Sequence, residues 1–178
     1  MSFWFLLVAF TASLNPCRLR RAFPRGPATL ALGSLLALGA GTALALSGRA
    51  VLAALDISPE SFRLAAALVL TLEGARALLF EPPTITSALP GLRAALVPVA
   101  FPLLLQPGVV VLALAAGGDD VSGLALGALA VALLLVIGTG FLPSGPRAEA
   151  LLAAGGRLLG ALEIAVGVAL AVDALRDV

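Results

Sequence analysis

The chain has 178 residues, 61% of them hydrophobic and 12% charged, which is far more apolar than the about 45–50% of a soluble domain and reads as an integral membrane protein. A net charge of +1, with the few charges clustered between apolar runs, excludes a broad basic face, so no nucleic-acid partner is expected. A lone cysteine, Cys17, and the absence of histidine exclude an internal disulfide, the usual metal ligand and the usual general base; no cofactor, metal site or catalytic residue is expected, and the chain is not read as an enzyme.

The first apolar run, Phe3 to Leu14, lacks a basic leader and an Ala-x-Ala cleavage site, so it reads as a retained segment and not a signal peptide. At 1.5 Å per residue it reaches only about 18 Å before Asn15-Pro16 interrupts it, so it either continues as a kinked helix or stops as a half-helix. A helix broken inside a bilayer leaves backbone groups that lipid cannot satisfy, so a break survives only against protein or a wet cavity. Prolines that merely kink two helices, repaired by Thr11 or Ser13, are the bland alternative. Five longer runs follow: Ala28 to Leu46, Phe62 to Phe80, Leu92 to Ala116, Val121 to Leu142 and Leu151 to Leu175, each close to the roughly 20 residues that span the hydrocarbon core. The expected fold is therefore an all-α membrane protein of six transmembrane helices in a single domain over 1–178. Gly123 with Gly127 and Gly156 with Gly160 place small residues one turn apart, as generic helix packing requires.

Arginine placement predicts orientation, because short cytoplasmic loops retain positive charge. Arg18, Arg20, Arg21 and Arg25 follow the first run, Arg76 and Arg93 flank one later loop, and Arg147 and Arg157 flank another. The remaining loops hold Asp56, Glu60, Asp119 and Asp120, and the tail holds Asp173 and Asp177. Both termini are expected outside. The first arginine cluster also offers contacts to anionic headgroups at Arg18, Arg20, Arg21 and Arg25.

The fourth run carries a second break, Gln106-Pro107-Gly108, 91 positions after Asn15-Pro16. Phe62-Arg63-Leu64 and Gly156-Arg157-Leu158 correspond 94 positions apart. Three segments per repeat is odd, so the second copy, about 92–178, lies upside down relative to the first, about 1–80, as in transporters whose paired broken helices form a midplane site. The predicted substrate site is Asn15, Pro16, Gln106, Pro107 and Gly108 with Thr11 and Ser13. Within the bilayer, Glu73 and Glu163 fall near the centre and are expected coupling groups, with Arg76 one turn from Glu73; if the carboxylates face each other, only one ionises readily and the other holds a proton, as proton coupling needs. A structural pairing with Arg76 or Arg157 is the competing role. Arg63, near the outer headgroups, reads as an anchor.

At these residues the chain resembles the MarC-related family of six-helix bacterial membrane proteins, within the superfamily of LysE-type exporters. The resemblance rests on Asn15-Pro16, on the stretch from Val97 to Gly108 (VPVAFPLLLQPG), on Ile57 to Leu78 and on Arg157 to Ala161. It departs at Gln106, where that family usually has glycine, and at Cys17 to Arg21, usually apolar. The resemblance implies a transporter-like fold in a bacterial inner membrane, and the superfamily suggests export of amino acids or other small polar metabolites, with homo-oligomerisation open. The arginine-only, alanine- and leucine-rich composition also fits a GC-rich bacterial source. A second resemblance, Leu14-Asn15-Pro16-Cys17 to the CcdA/DsbD-type thiol-redox transporters, fails on chemistry, because a dithiol relay needs a second cysteine where this chain has Gln106. A non-transporting accessory or lipid-handling protein is the alternative from another class.

Overall fold

Proline decides where the helices start. In the computed structural model, which describes residues 1–23, 27–84, 91–142 and 145–177, the described residues are helical with no strand. Helices α2 (Pro16–Ala22), α3 (Pro27–Ala54), α4 (Pro59–Leu79), α6 (Pro107–Gly118) and α8 (Pro146–Arg176) all begin on a proline, whose missing N–H is one that the first turn leaves unpaired anyway. The others are α1 (Phe3–Leu14), a single turn α5 (Gly91–Ala94) and α7 (Ser122–Thr139). Between α5 and α6 runs a proline segment, Ala95–Leu104, in wide helical turns interrupted at Val97 (φ −131°, ψ 116°) and Phe101 (φ −131°, ψ 125°). Both precede a proline, and the proline ring pushes its predecessor out of helical geometry. Gln106, before Pro107, is extended for the same reason.

The run Leu92 to Ala116 is broken at Gln106-Pro107, as expected, and is interrupted twice more, at Val97 and Phe101, which its hydrophobicity does not show. Hydropathy is blind to backbone geometry, and the pre-proline residues divide the run; the proline segment and α6 meet at a bend of 69°. Three helices, α3, α7 and α8, are long and apolar enough to cross a membrane, and the bent pair counted as one span makes four. Helix α1 has 12 residues, and α4 carries Glu60, Arg63, Glu73 and Arg76, so neither reaches that standard alone.

The most extensive packing joins α4 to α8; α3 packs on α6 and the proline segment, α7 packs on α1, and α3 meets α7. Small residues permit the α4–α8 crossing. A Cβ on Gly74 would lie 2.6 Å from the Gly160 carbonyl oxygen, and one on Gly160 would lie 2.8 Å from the Ala77 Cβ, so the backbones approach closer than any side chain allows. The interior holds Leu6, Phe10, Leu70, Leu104 and Leu112, each fully buried. Large apolar side chains also cover the outside, among them Leu35, Leu46, Leu72, Leu134 and Leu158, and helices apolar on both faces suit a lipid surround.

The charges separate by end. The end reached by the start of α1, the end of α3 and the end of α8 holds Asp56, Glu60, Asp119, Asp120, Asp173 and Asp177 with Arg49, Arg63 and Arg176; the other holds Arg18, Arg20, Arg21, Arg76, Arg93, Arg147 and Arg157 with Glu81 and Glu149. Arg25 lies outside the described residues.

At the acidic end the expectation for Arg63 is corrected. It is not an anchor reaching into headgroups: it is 6% exposed, and its guanidinium faces Asp177 at 2.6 Å, Asp173 at 3.1 Å, Asp119 at 3.8 Å and Glu60 at 4.0 Å. Carboxylates converging from α8 and from the end of α6 hold the side chain in, which a reading of α4 alone cannot foresee. Burial raises the Asp119 carboxyl above its ordinary pKa, with the nearby Arg63 guanidinium acting in the opposite direction.

Candidate functional site

Asn15 makes the first break. Its backbone is left-handed (φ 41°, ψ 69°), a conformation that asparagine tolerates better than other non-glycine residues. It ends α1 through its N–H to the Thr11 carbonyl (3.1 Å) and starts α2 by accepting the Arg18 N–H on Oδ1 (3.2 Å). Its Nδ2 donates to the Gly156 carbonyl (2.8 Å), fastening the break to α8. One side chain thus caps α2 and ties the broken helix to a neighbour.

The second break comes to the first. Gln106 Nε2 donates to the Ser13 backbone carbonyl, one of those left over at the end of α1. The start of α6 is satisfied across the bundle: the Gly108 N–H donates to Glu73 Oε2 at 2.8 Å. Glycine leaves room for this approach: a Cβ would press on Ser13 Oγ and Glu73 Oε2, and both side chains would have to turn away. Backbone groups that lipid would leave unpaired are thus matched by side chains from the opposite half of the chain.

Between the breaks lies a cavity of about 300 Å³. Of the sequence-predicted site residues, Ser13, Asn15, Gln106 and Pro107 line it, and so do Glu73, Glu163 and Arg76. Thr11, Pro16 and Gly108 do not; Thr11 contributes its carbonyl to the Asn15 cap, and Gly108 packs behind Ser13 and Glu73. The lining extends past Arg18 and Ala22 to Pro82 and Pro83, toward the arginine-rich end. Arg18 was assigned by sequence to topology and headgroups, and its place in the lining was missed. The left-handed Asn15 redirects α2 so that this residue faces the cavity, a turn that the sequence signals only through its Asn-Pro pair.

Glu73 and Glu163 are within electrostatic reach of each other. Neither has a carboxylate-to-arginine contact within 4.0 Å among the described residues, so the expected pairing of Glu73 with Arg76 does not form, and Arg157 lies instead 3.8 Å from Glu81. Glu163 and the Ser13 hydroxyl are each 2% exposed and lie close enough for the hydroxyl to act on the carboxylate, yet Glu163 Oε1 and Ser13 Oγ make no hydrogen bond of good geometry among the described residues. Buried polar atoms left in this way are rare and costly, and here both border a cavity. Among the described residues no group of three or more Cys, Asp or Glu could hold a metal ion. Neutral donors and acceptors, two carboxylates and two guanidinium groups around one cavity, set among leucine, alanine and proline side chains, can bind a small solute with polar groups or exchange a proton. No protein-family model, curated protein or solved structure matches this chain.

Proposed function

We propose that the chain is a secondary transporter of small polar solutes, MarC-like in its motifs, built in six spans as two inverted three-helix repeats. The observation that carries the reading is the meeting of the two breaks, Gln106 on the Ser13 carbonyl and Glu73 on the Gly108 N–H, around a cavity that the buried Glu163 lines. Broken helices that meet around a polar space are the structural core of alternating-access carriers. The pairings support a two-fold arrangement: α3 packs on α6 as α7 packs on α1, and α4 packs on α8. The charge separation supports an orientation with both termini outside a bacterial inner membrane and the arginine-rich end in the cytoplasm. In that orientation the cavity opens inward, and the Arg63 cluster closes the outer end.

In this reading Glu163 and Glu73 couple transport to proton movement, since buried carboxylates facing a polar space can change charge between the two access states. Efflux from proteoliposomes across a panel of small polar metabolites is the test. Transport is expected in the native protein, with loss of proton dependence in Glu163→Gln and loss of flux in Gln106→Ala, both checked for folding. Flux that survives unchanged in folded Gln106→Ala and Glu163→Gln proteins defeats the site assignment.

A further inference from the structure

The two arginines of the cavity differ from those around it. Arg21 and Arg157 share Glu81, at 2.6 and 3.8 Å, while Arg49 pairs with Asp120 at 2.6 Å. Arg18 and Arg76 have no carboxylate within 4.0 Å among the described residues, although they lie close enough to repel each other. Arg18 is fixed from both sides: Asn15 caps its N–H, and its Cγ packs over Gly156, where an added Cβ would lie 3.1 Å away. Both guanidinium groups border the cavity with no hydrogen bond or ion-pair contact among the described residues, although Glu163 and Glu81 act on Arg18, and Glu73 on Arg76, from farther away, so their donor edges are open to an anion that enters. Deeper in the same cavity the buried Glu163 carboxylate and Ser13 hydroxyl lie beside each other, and neither Glu163 Oε1 nor Ser13 Oγ makes a hydrogen bond of good geometry among the described residues, so both can turn to a donor that enters.

We propose that Arg18 and Arg76 form an anion subsite at the mouth of the cavity, which selects solutes that carry an oxyanion at one end and a hydrogen-bond donor that reaches Glu163 and Ser13 at the other. This rests on the transport reading and adds to it a substrate class. The guanidinium fork matches a carboxylate or phosphate in two parallel hydrogen bonds, which a neutral amide of the same size cannot reproduce. Arg18 therefore contacts the solute, and it does so from the element that Asn15 redirects. The same chemistry admits one other source, the phosphate of an anionic lipid.

The test is direct binding, read separately from flux. The purified full chain is placed in phosphatidylcholine nanodiscs, and its thermal midpoint is followed against acetate, phosphate, glycine and uncharged acetamide at matched ionic strength. The oxyanions are expected to raise the midpoint and acetamide to leave it unchanged, with apparent affinity at least about tenfold weaker in Arg18→Gln and in Arg76→Gln, the loss of one charge-assisted hydrogen bond. Arg76→Lys, which keeps the charge and loses the fork, is expected to fall between, and it guards against misfolding of the glutamine variants. No oxyanion response in the native protein, or an equal response in both glutamine variants, overturns the subsite. If phosphatidylglycerol in the discs abolishes the response to free oxyanions and copurifies with the native protein but not with Arg18→Gln, the subsite belongs to lipid and the solute assignment is overturned. Oxyanion binding without flux defeats the transport reading alone, whereas flux indifferent to the oxyanion defeats the subsite alone.

Discussion

At the scale of the residue, Asn15 shows how one side chain both makes a break and repairs it. Alanine there would lose the Arg18 cap and the Gly156 tie and would hold a left-handed backbone at a cost of about 1–2 kcal/mol; glycine loses the same bonds but has no such penalty. Thermal unfolding in detergent is expected to rank native above Asn15→Gly above Asn15→Ala, the last lower by about 2–4 kcal/mol. Glu73 invites a similar comparison. Glu73→Gln keeps an acceptor for the Gly108 N–H and should retain the fold, while Glu73→Ala strands that donor and should lose about 1–3 kcal/mol, a difference that the unfolding midpoint resolves. The sequence marked Asn15, Gln106, Glu73 and Glu163 because polar groups in apolar runs are conspicuous. It did not mark Arg18, because arginine after a hydrophobic segment is adequately explained by topology.

At the scale of the element, the existence of the long helices was legible, while their starts and their contacts were not. Proline at the first position and pre-proline residues in extended geometry are local chemistry, yet the apolar runs placed the starts at Ala28, Phe62 and Leu151 where the helices begin at Pro27, Pro59 and Pro146. The π-like and extended stretch at Ala95–Leu104 follows from Pro98 and Pro102 in the same way, although the hydrophobic run concealed it. The α4–α8 crossing depends on Gly74 against Gly160; the sequence marked Gly160 through its spacing from Gly156 but gave no sign of Gly74. Leucine at Gly74 must displace the Gly160 carbonyl and is expected to cost about 1–3 kcal/mol or more, read as a lowered midpoint and a smaller folded fraction by size exclusion. Leucine at Gly123, where an added Cβ meets nothing within 4 Å, is the neutral control.

At the scale of the molecule, the Arg63 cluster joins the ends of α4, α6 and α8. Breaking a buried ion pair costs about 3–5 kcal/mol, and because the Asp173 and Asp177 side chains are 57% and 50% exposed, the expected loss for Arg63→Met is smaller, about 1–3 kcal/mol. The variant also acquires a pH dependence with a defined sign. Without Arg63 the Asp119 pKa in the folded protein rises further above its unfolded value of about 4, so the stabilisation is full below that value and declines as pH rises through the folded pKa. Unfolding midpoints of Arg63→Met minus native, followed upward from about pH 4, should therefore become more negative. Orientation is checked by C-terminal fusions: alkaline phosphatase is expected to be active and a cytoplasm-dependent fluorescent reporter dark, and the reverse pattern defeats the outside placement of the termini.

Composition alone determined that this chain is an apolar helical protein suited to a bilayer, and proline and arginine positions determined where the two breaks fall and which ends carry which charge. These are local or additive properties, fixed by the residue and its immediate neighbours. Tertiary structure decided that the two breaks share one cavity, that Glu73 caps α6 in place of pairing with Arg76, that Arg63 is enclosed by carboxylates, and that Arg18 faces the cavity. Each depends on groups 35 to 141 positions apart in sequence, brought together only by helix packing, which no periodicity encodes.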